Sequence, residues 1–146
     1  LKLVLSEECP LDMLIHLGDA EGSEHFIPDW VNPECRMEMV LGNNDFFSRL
    51  DREREIDIAG HKAFITHGHY YGVSMGPEGL VDEAKSRGCD IAMYGHTHRP
   101  FLDVIDGVTV LNPGSLSYPR QEGRRPSYMI IHVDADGKMD YQQKYL

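Results

Sequence analysis

The sequence predicts an α/β fold: two mixed β-sheets face to face with helices outside, a four-layer α-β-β-α sandwich. Three observations carry that expectation. Strand-like segments outnumber helix-like ones, the helical periodicity comes early, and hairpin signals crowd the end of the chain.

Leu1, Val4 and Leu5 share one face of a short helix, which Pro10 closes. "DMLIHLGDAEG" reads as an apolar strand running into a glycine loop, and "CRMEMVLGNND" repeats that pattern. "REIDIAGHKAFITHGH" alternates on both sides of Ala59-Gly60, a hairpin whose second strand ends at His67. "PEGLVDEAKSRG" is an amphipathic helix with Leu80, Val81 and Ala84 inward and Gly88 as its stop. "DIAMYGHTH" is the next strand. "FLDVIDGVTVLN" turns at Asp106-Gly107, a strong hairpin signal, and "SYMIIHVDADGKMDYQQKYL" turns through Asp136-Gly137.

With 146 residues, no repeat and no linker, residues 1–146 read as one domain with one core. The chain opens on Leu1 rather than methionine, which leads us to expect a segment upstream of it. No apolar run approaches the length of a membrane-spanning helix. A net charge of −10 disfavours a nucleic-acid-coating role unless bound metal reverses the local field. Cys9, Cys35 and Cys89 are odd in number and form no C-x-x-C pair, which suits buried thiols in a reducing compartment, the cytoplasm.

Successive strand ends deliver Asp19, Asn43, His67, and then His96 with His98. Ligands gather where parallel strands end, because the loops there converge on one crevice. The residue types cohere as well: a carboxylate can bridge two cations, imidazoles suit borderline transition metals, and an amide oxygen adds a ligand without charge. Together they describe a two-metal hydrolase centre. Glycines precede Asp19, Asn43 and His96, letting the backbone turn sharply and a cation approach.

The ordered set LGD, LGNND, THGH and GHTH resembles the calcineurin-like metallophosphoesterase family, most closely its small YfcE-like phosphodiesterase branch. "GHTHRP" and "LNPGSLSYPR" fit the same branch, and the resemblance runs from Asp12 onward. It implies the metallo-dependent phosphatase fold and a dimetal phosphodiesterase acting on a small phosphodiester through a metal-bridging hydroxide. By the same resemblance Asp19 bridges the metals, Asn43, His67 and His96 complete one shell, and His98 serves the other. The remaining ligands of the second metal would come from a D-x-H motif on a first strand. No D-x-H precedes Asp19, so that strand is expected upstream of Leu1.

Where many relatives carry G-N-H-[DE], with a proton-donating histidine, Asn44 stands here, and an amide supplies no proton at neutral pH. Turnover would favour leaving groups that need little protonation. Asp45 reads as the residue that fixes the loop, and His69 as either a replacement acid or a hydrogen-bonding support. Asn43, Asn44 and His69 are thus the candidates for the catalytic step. Mn²⁺ suits the O/N donor set best, with Ni²⁺, Zn²⁺ or Fe²⁺ as alternatives.

The remaining histidines read as structural: His16 packed, and His25, His61 and His132 solvated. Arg99 and Arg120 are candidate phosphate contacts. Met37, Met39 and Met93 are strand core, Trp30 covers an apolar edge, and "DREREID" is a solvated loop and strand edge. Expected partners are a small phosphoester and, as the default oligomer, a second copy in a homodimer. The rival reading is a catalytically weak or inactive protein-binding scaffold of the same fold, as the eukaryotic retromer subunit is. A nuclease is disfavoured by the acidity and the lack of a basic groove.

Overall fold

The computed structural model describes residues 1–46, 48–121 and 123–146. Helix α1 (Lys2–Glu8) buries Val4 and Leu5 and ends as Cys9 turns extended, because the ring of Pro10 disfavours a helical residue before it. Strands β1 (Met13–His16) and β2 (Arg36–Met39) follow and pair in parallel. Next come β3 (Glu53–Ile58), β4 (His61–Thr66), α2 (Glu78–Ser86), β5 (Ile91–Met93), β6 (Pro100–Ile105) and β7 (Val108–Pro113). The hairpin of β8 (Ser127–Val133) and β9 (Met139–Tyr145) ends the chain.

The larger sheet runs β3-β4-β5-β7-β6. Its interior strands β4, β5 and β7 are parallel, with β3 and β6 as antiparallel edges. Both edges arise from two-residue turns, with Ala59-Gly60 and Asp106-Gly107 all at positive φ, the combination that closes a right-twisted hairpin. Period-two alternation splits the interior strands between two cores. Phe64, Ala92 and Val110 face Leu80, Val81 and Ala84 of α2. Ala63, Ile65, Ile91, Met93 and Leu111 face the second layer, where β1 supplies Met13 and Ile15, β8 supplies Met129 and Ile131, and β9 supplies Met139 and Tyr141. The outer face of that layer is covered by α1 and the turn Ile27–Trp30, through Leu5 and Ile27 packed with Met39, Leu14, Met37 and Trp30. The order is therefore α, β, β, α, as expected.

The second layer is divided. Among the described residues β1 pairs only with β2, and β8 only with β9. Their free edges, with α1, border a cleft of about 2100 Å³ that also reaches Asp19, His67, His96 and His98.

Two surface expectations change. His61 is tied rather than solvated, with Nδ1 2.8 Å from Asp90 Oδ2 and Nε2 3.1 Å from the Gly137 carbonyl. Glu53, within the charged run, is drawn in by Arg87, whose Nη2 donates to it at 2.6 Å, and by the Tyr71 hydroxyl. The opposite charge and the hydroxyl compensate what the carboxylate loses in hydration.

Candidate metal centre

The site lies at the C-terminal ends of β1, β2, β4 and β5, from which Asp19, Asn43, His67 and His96 extend. His67 is its hub. The side chain is buried, 2% exposed, and Nδ1 lies 2.7 Å from the Leu17 carbonyl. A carbonyl can only accept, so Nδ1 carries the hydrogen and Nε2 presents its lone pair. Around Nε2 stand Asn43 Oδ1 at 2.9 Å, His96 Nδ1 at 3.2 Å and Asp19 Oδ2 at 3.4 Å. At most the His96 nitrogen brings a hydrogen to it; both oxygens are acceptors.

Burial pushes His67 below the ordinary imidazole range. Burial, then the neighbouring His69, does the same to His96, and burial, then His67, to His69. The imidazoles are neutral near pH 7, so proton sharing does not reconcile lone pair with lone pair. A divalent cation does. Bonds of about 2.1 Å place cis donors about 3.0 Å apart in an octahedron and about 3.4 Å apart in a tetrahedron, the spacing seen around His67. Among the described residues no three His, Cys, Asp or Glu side chains already form a closed cage; the donors converge on an imidazole nitrogen, and one of them is an amide. In charge and donor type the set fits a divalent ion.

Short-range forces set this geometry. Asp19, His96 and His98 all adopt positive φ, at 60°, 63° and 60°, a conformation that costs a residue with a Cβ about 1–2 kcal/mol. Such strain gathers where surrounding contacts over-determine a functional loop. Asp45 is one of those contacts: buried, it accepts backbone N–H groups from Asp19 and Gly42 at 2.8 Å and from Glu21 at 2.7 Å. Asn44 grips the Asp19 carboxylate through its backbone N–H at 2.9 Å and its amide nitrogen at 3.1 Å.

The glycines serve differently from what the sequence suggests. Gly18, at φ 108°, is both left-handed and crowded, since a Cβ there would sit 2.5 Å from His67 Nδ1. Gly42 has ordinary φ but no room, as its Cβ would meet Asp19 Oδ1 at 2.2 Å. The need at Gly42 is close approach, not turning.

His98 lines the same cleft but stands apart from the hub, with Nδ1 2.9 Å from the Tyr118 carbonyl. Its other nitrogen is left for a ligand. His69 packs edge-on to His67, ring centroids 5.3 Å apart, and its buried Nδ1 has no partner among the described residues. His16 is half-buried and accepts from the Gly18 N–H at 3.2 Å. Arg99 and Arg120 line the cleft.

Sequence reasoning missed Asn112. Fully buried on β7, it donates through Nδ2 to the Gly95 carbonyl and to Thr97 Oγ1, both at 3.0 Å, and so pins the loop carrying His96 and His98. The only signal was its place in "LNPGS", where an asparagine before Pro-Gly reads as a plain turn.

Comparison with known proteins identifies the family and the fold. Residues 3–136 match the calcineurin-like phosphoesterase superfamily domain. The probable metallophosphoesterase YsnB of Bacillus subtilis is 30% identical over 129 residues, 88% of this chain and 73% of that protein. The phosphodiesterase MJ0936 of Methanocaldococcus jannaschii is 32% identical over 118 residues, 71% of this chain and 67% of its own. In fold the chain is similar to Vps29 of Entamoeba histolytica solved with Zn²⁺, with a TM-score of 0.77 at 20% identity, covering 99% of this chain and 89% of that one. A family whose members are metallophosphoesterases implies divalent metal ions, for which the donors around His67 are suited. This chain belongs to the calcineurin-like phosphoesterase superfamily.

Proposed function

We infer that residues 1–146 form one metallophosphoesterase domain that hydrolyses a small phosphodiester, with Mn²⁺ as the preferred ion. The observation that carries the reading is the His67 Nε2 lone pair, locked by the Leu17 carbonyl and faced by oxygens of Asn43 and Asp19. Asp19, Asn43, His67 and His96 would hold one ion, and Asp19 and His98 would serve a second. Bound divalent ions supply Lewis acidity toward a phosphoryl oxygen and lower the pKa of water.

The chain's own residues do the rest. Asn44 orients the Asp19 carboxylate. Arg99 and Arg120, exposed at the cleft, meet the phosphate. Asn44 has no proton to give, and burial lowers the His69 pKa, which disfavours it as the acid, so the favoured substrates have good leaving groups. Three free thiols fit a cytoplasmic setting, and a homodimer is the default assembly. Among the described residues no helix is long and apolar enough to cross a membrane.

Protein supplied with Mn²⁺ should cleave bis-p-nitrophenyl phosphate, and His67→Ala should abolish cleavage. Equal rates in wild type and variant would overturn the assignment. The scaffold alternative draws on the acid-deficient Asn44 and on His98 standing apart from the hub. Calorimetric titration with Mn²⁺ beside a turnover assay separates the two: two tight sites with turnover favour the enzyme, and no binding favours the scaffold.

A further inference from the structure

The cleft wall beside His98 carries features that phosphoester hydrolysis alone does not require. The chain has a net charge of −10, yet Arg99, Arg120 and Arg124 all line the cleft that holds the candidate ligands. Among them stands Tyr118, 65% exposed. Its ring lies nearly parallel to the His98 imidazole, with 22° between planes and 6.2 Å between centroids.

A single exposed aromatic needs no explanation. Tyr118 differs in being held. Its carbonyl accepts from His98 Nδ1 at 2.9 Å, and its N–H donates to Ser115 Oγ at 2.9 Å. Two residues on, Arg120 donates its N–H to the His98 carbonyl at 3.1 Å. These bonds fix the backbone on both sides of the ring and tie it to the loop carrying the candidate ligands. The ring borders the cleft while remaining largely open. A preorganised aromatic face that shares a cleft with guanidinium groups can hold a base by stacking and its phosphate by charge-assisted hydrogen bonds.

We propose that Tyr118 is the stacking platform for the nucleobase of a nucleotide phosphoester, with Arg99 and Arg120 on the phosphate. The proposal rests on the phosphoesterase reading and names its substrate class. Stacking uses the π-face that every base has, so the platform separates nucleotides from alkyl and sugar phosphates without choosing among bases.

The test uses AMP and ribose 5-phosphate, which share sugar and phosphate and differ by the base. In calorimetric titrations of the Mn²⁺-supplied protein, AMP binds about tenfold more tightly or better. Tyr118→Leu brings AMP to the level of ribose 5-phosphate, and Tyr118→Phe keeps the gap. The ring is exposed, so neither change opens the core. In turnover, thymidine 5′-(p-nitrophenyl phosphate) and methyl p-nitrophenyl phosphate release the same p-nitrophenolate, and their kcat/KM ratio reports the retained group. That ratio favours the nucleoside ester and collapses in Tyr118→Leu. Equal affinity for AMP and ribose 5-phosphate, or a gap that survives Tyr118→Leu, overturns the platform. If both phosphates still bind and both esters are still cleaved, the phosphoesterase reading stands without it. Failure to bind either phosphate and to cleave either ester overturns both.

Discussion

The two halves of the candidate centre are built on unlike foundations. His67 and His96 extend from β4 and β5, interior strands of the larger sheet, where Ala63 to Thr66 and Ile91 to Met93 are buried throughout. Asp19 and Asn43 extend from β1 and β2, a two-stranded sheet in which every residue of β1 is only half-buried. The imidazole half is positioned by apolar packing on both faces. The oxygen half is positioned by polar contacts in its loops, chiefly Asp45 and Asn44. One half is thus a fixed template and the other a clasp drawn against it, and the clasp is where small changes should cost most.

The sharpest way to break the clasp is Gly42→Ala. One methyl group collides with Asp19 Oδ1 and with the Asp19 backbone nitrogen, where the Cβ would lie 2.3 Å away. No rotamer relieves a clash with backbone. Mn²⁺ affinity measured by calorimetry should fall by about 100-fold or more, with phosphodiester turnover lost, while the larger sheet keeps its circular dichroism. Unaltered metal affinity would mean that Asp19 takes no part in the centre.

Next in size is Asp45→Asn, which trades an ionised acceptor of three N–H bonds for an amide that can accept only through its one oxygen. Hydrogen bonds to a charged acceptor contribute about 1.5–3 kcal/mol each, so thermal unfolding should come several degrees earlier, and Mn²⁺ affinity should drop about 10- to 100-fold. That fall in melting temperature with metal affinity intact would place Asp45 in the fold alone.

Much of the template was legible in the sequence, and the clasp much less so. The positive-φ turns at Ala59-Gly60 and Asp106-Gly107 are local, so residue type alone announces them. The buried face of α2 follows from helical period, and the strand ends follow from glycine and polar residues after apolar runs. Asp45 was readable as a loop-fixing residue, but its bonds to Asp19 and Glu21 cross from one strand loop to another, and no local pattern encodes them. Asn112 was invisible for the same reason: its partners in the Gly95-His98 loop lie across the β5-β7 pairing. His61 looked solvated because Asp90 and Gly137 are distant in sequence.

The contrast between halves also predicts a dynamic difference. Backbone amides of β4 and β5 are paired inside a sheet covered on both faces, whereas every residue of β1 is only half-buried. Local opening is easiest where backbone bonds are few and water is near. In native-state hydrogen exchange, amides of β1 should exchange about tenfold faster or more than those of β5, and added Mn²⁺ should narrow the gap by tying Asp19 to His67. Equal protection in both strands would remove the distinction between template and clasp.

The smallest expected effect lies at the far end of the sandwich, where the β8–β9 hairpin is tied to the larger sheet by His61. Both ring nitrogens face acceptors, Asp90 Oδ2 at 2.8 Å and the Gly137 carbonyl at 3.1 Å, which favours the doubly protonated ring. The bond to Asp90, then that to Gly137, raises the His61 pKa, and Asp57 adds to it. Lys138 is the cation on the same small cavity, and Tyr141 borders it as well. A raised folded-state value means that the contribution is fully present below the ordinary imidazole value of about 6.5 and fades as pH rises through the raised value. Because the His61 side chain is 38% exposed, solvent screens the interaction and the effect is modest. Melting temperatures of wild type and His61→Gln, compared across this range, should differ most at about pH 6 and converge above the raised value. A gap that instead widens with pH would show that His61 holds the hairpin as a neutral ring, with the open half of the sandwich anchored by packing of Met129, Ile131 and Tyr141 alone.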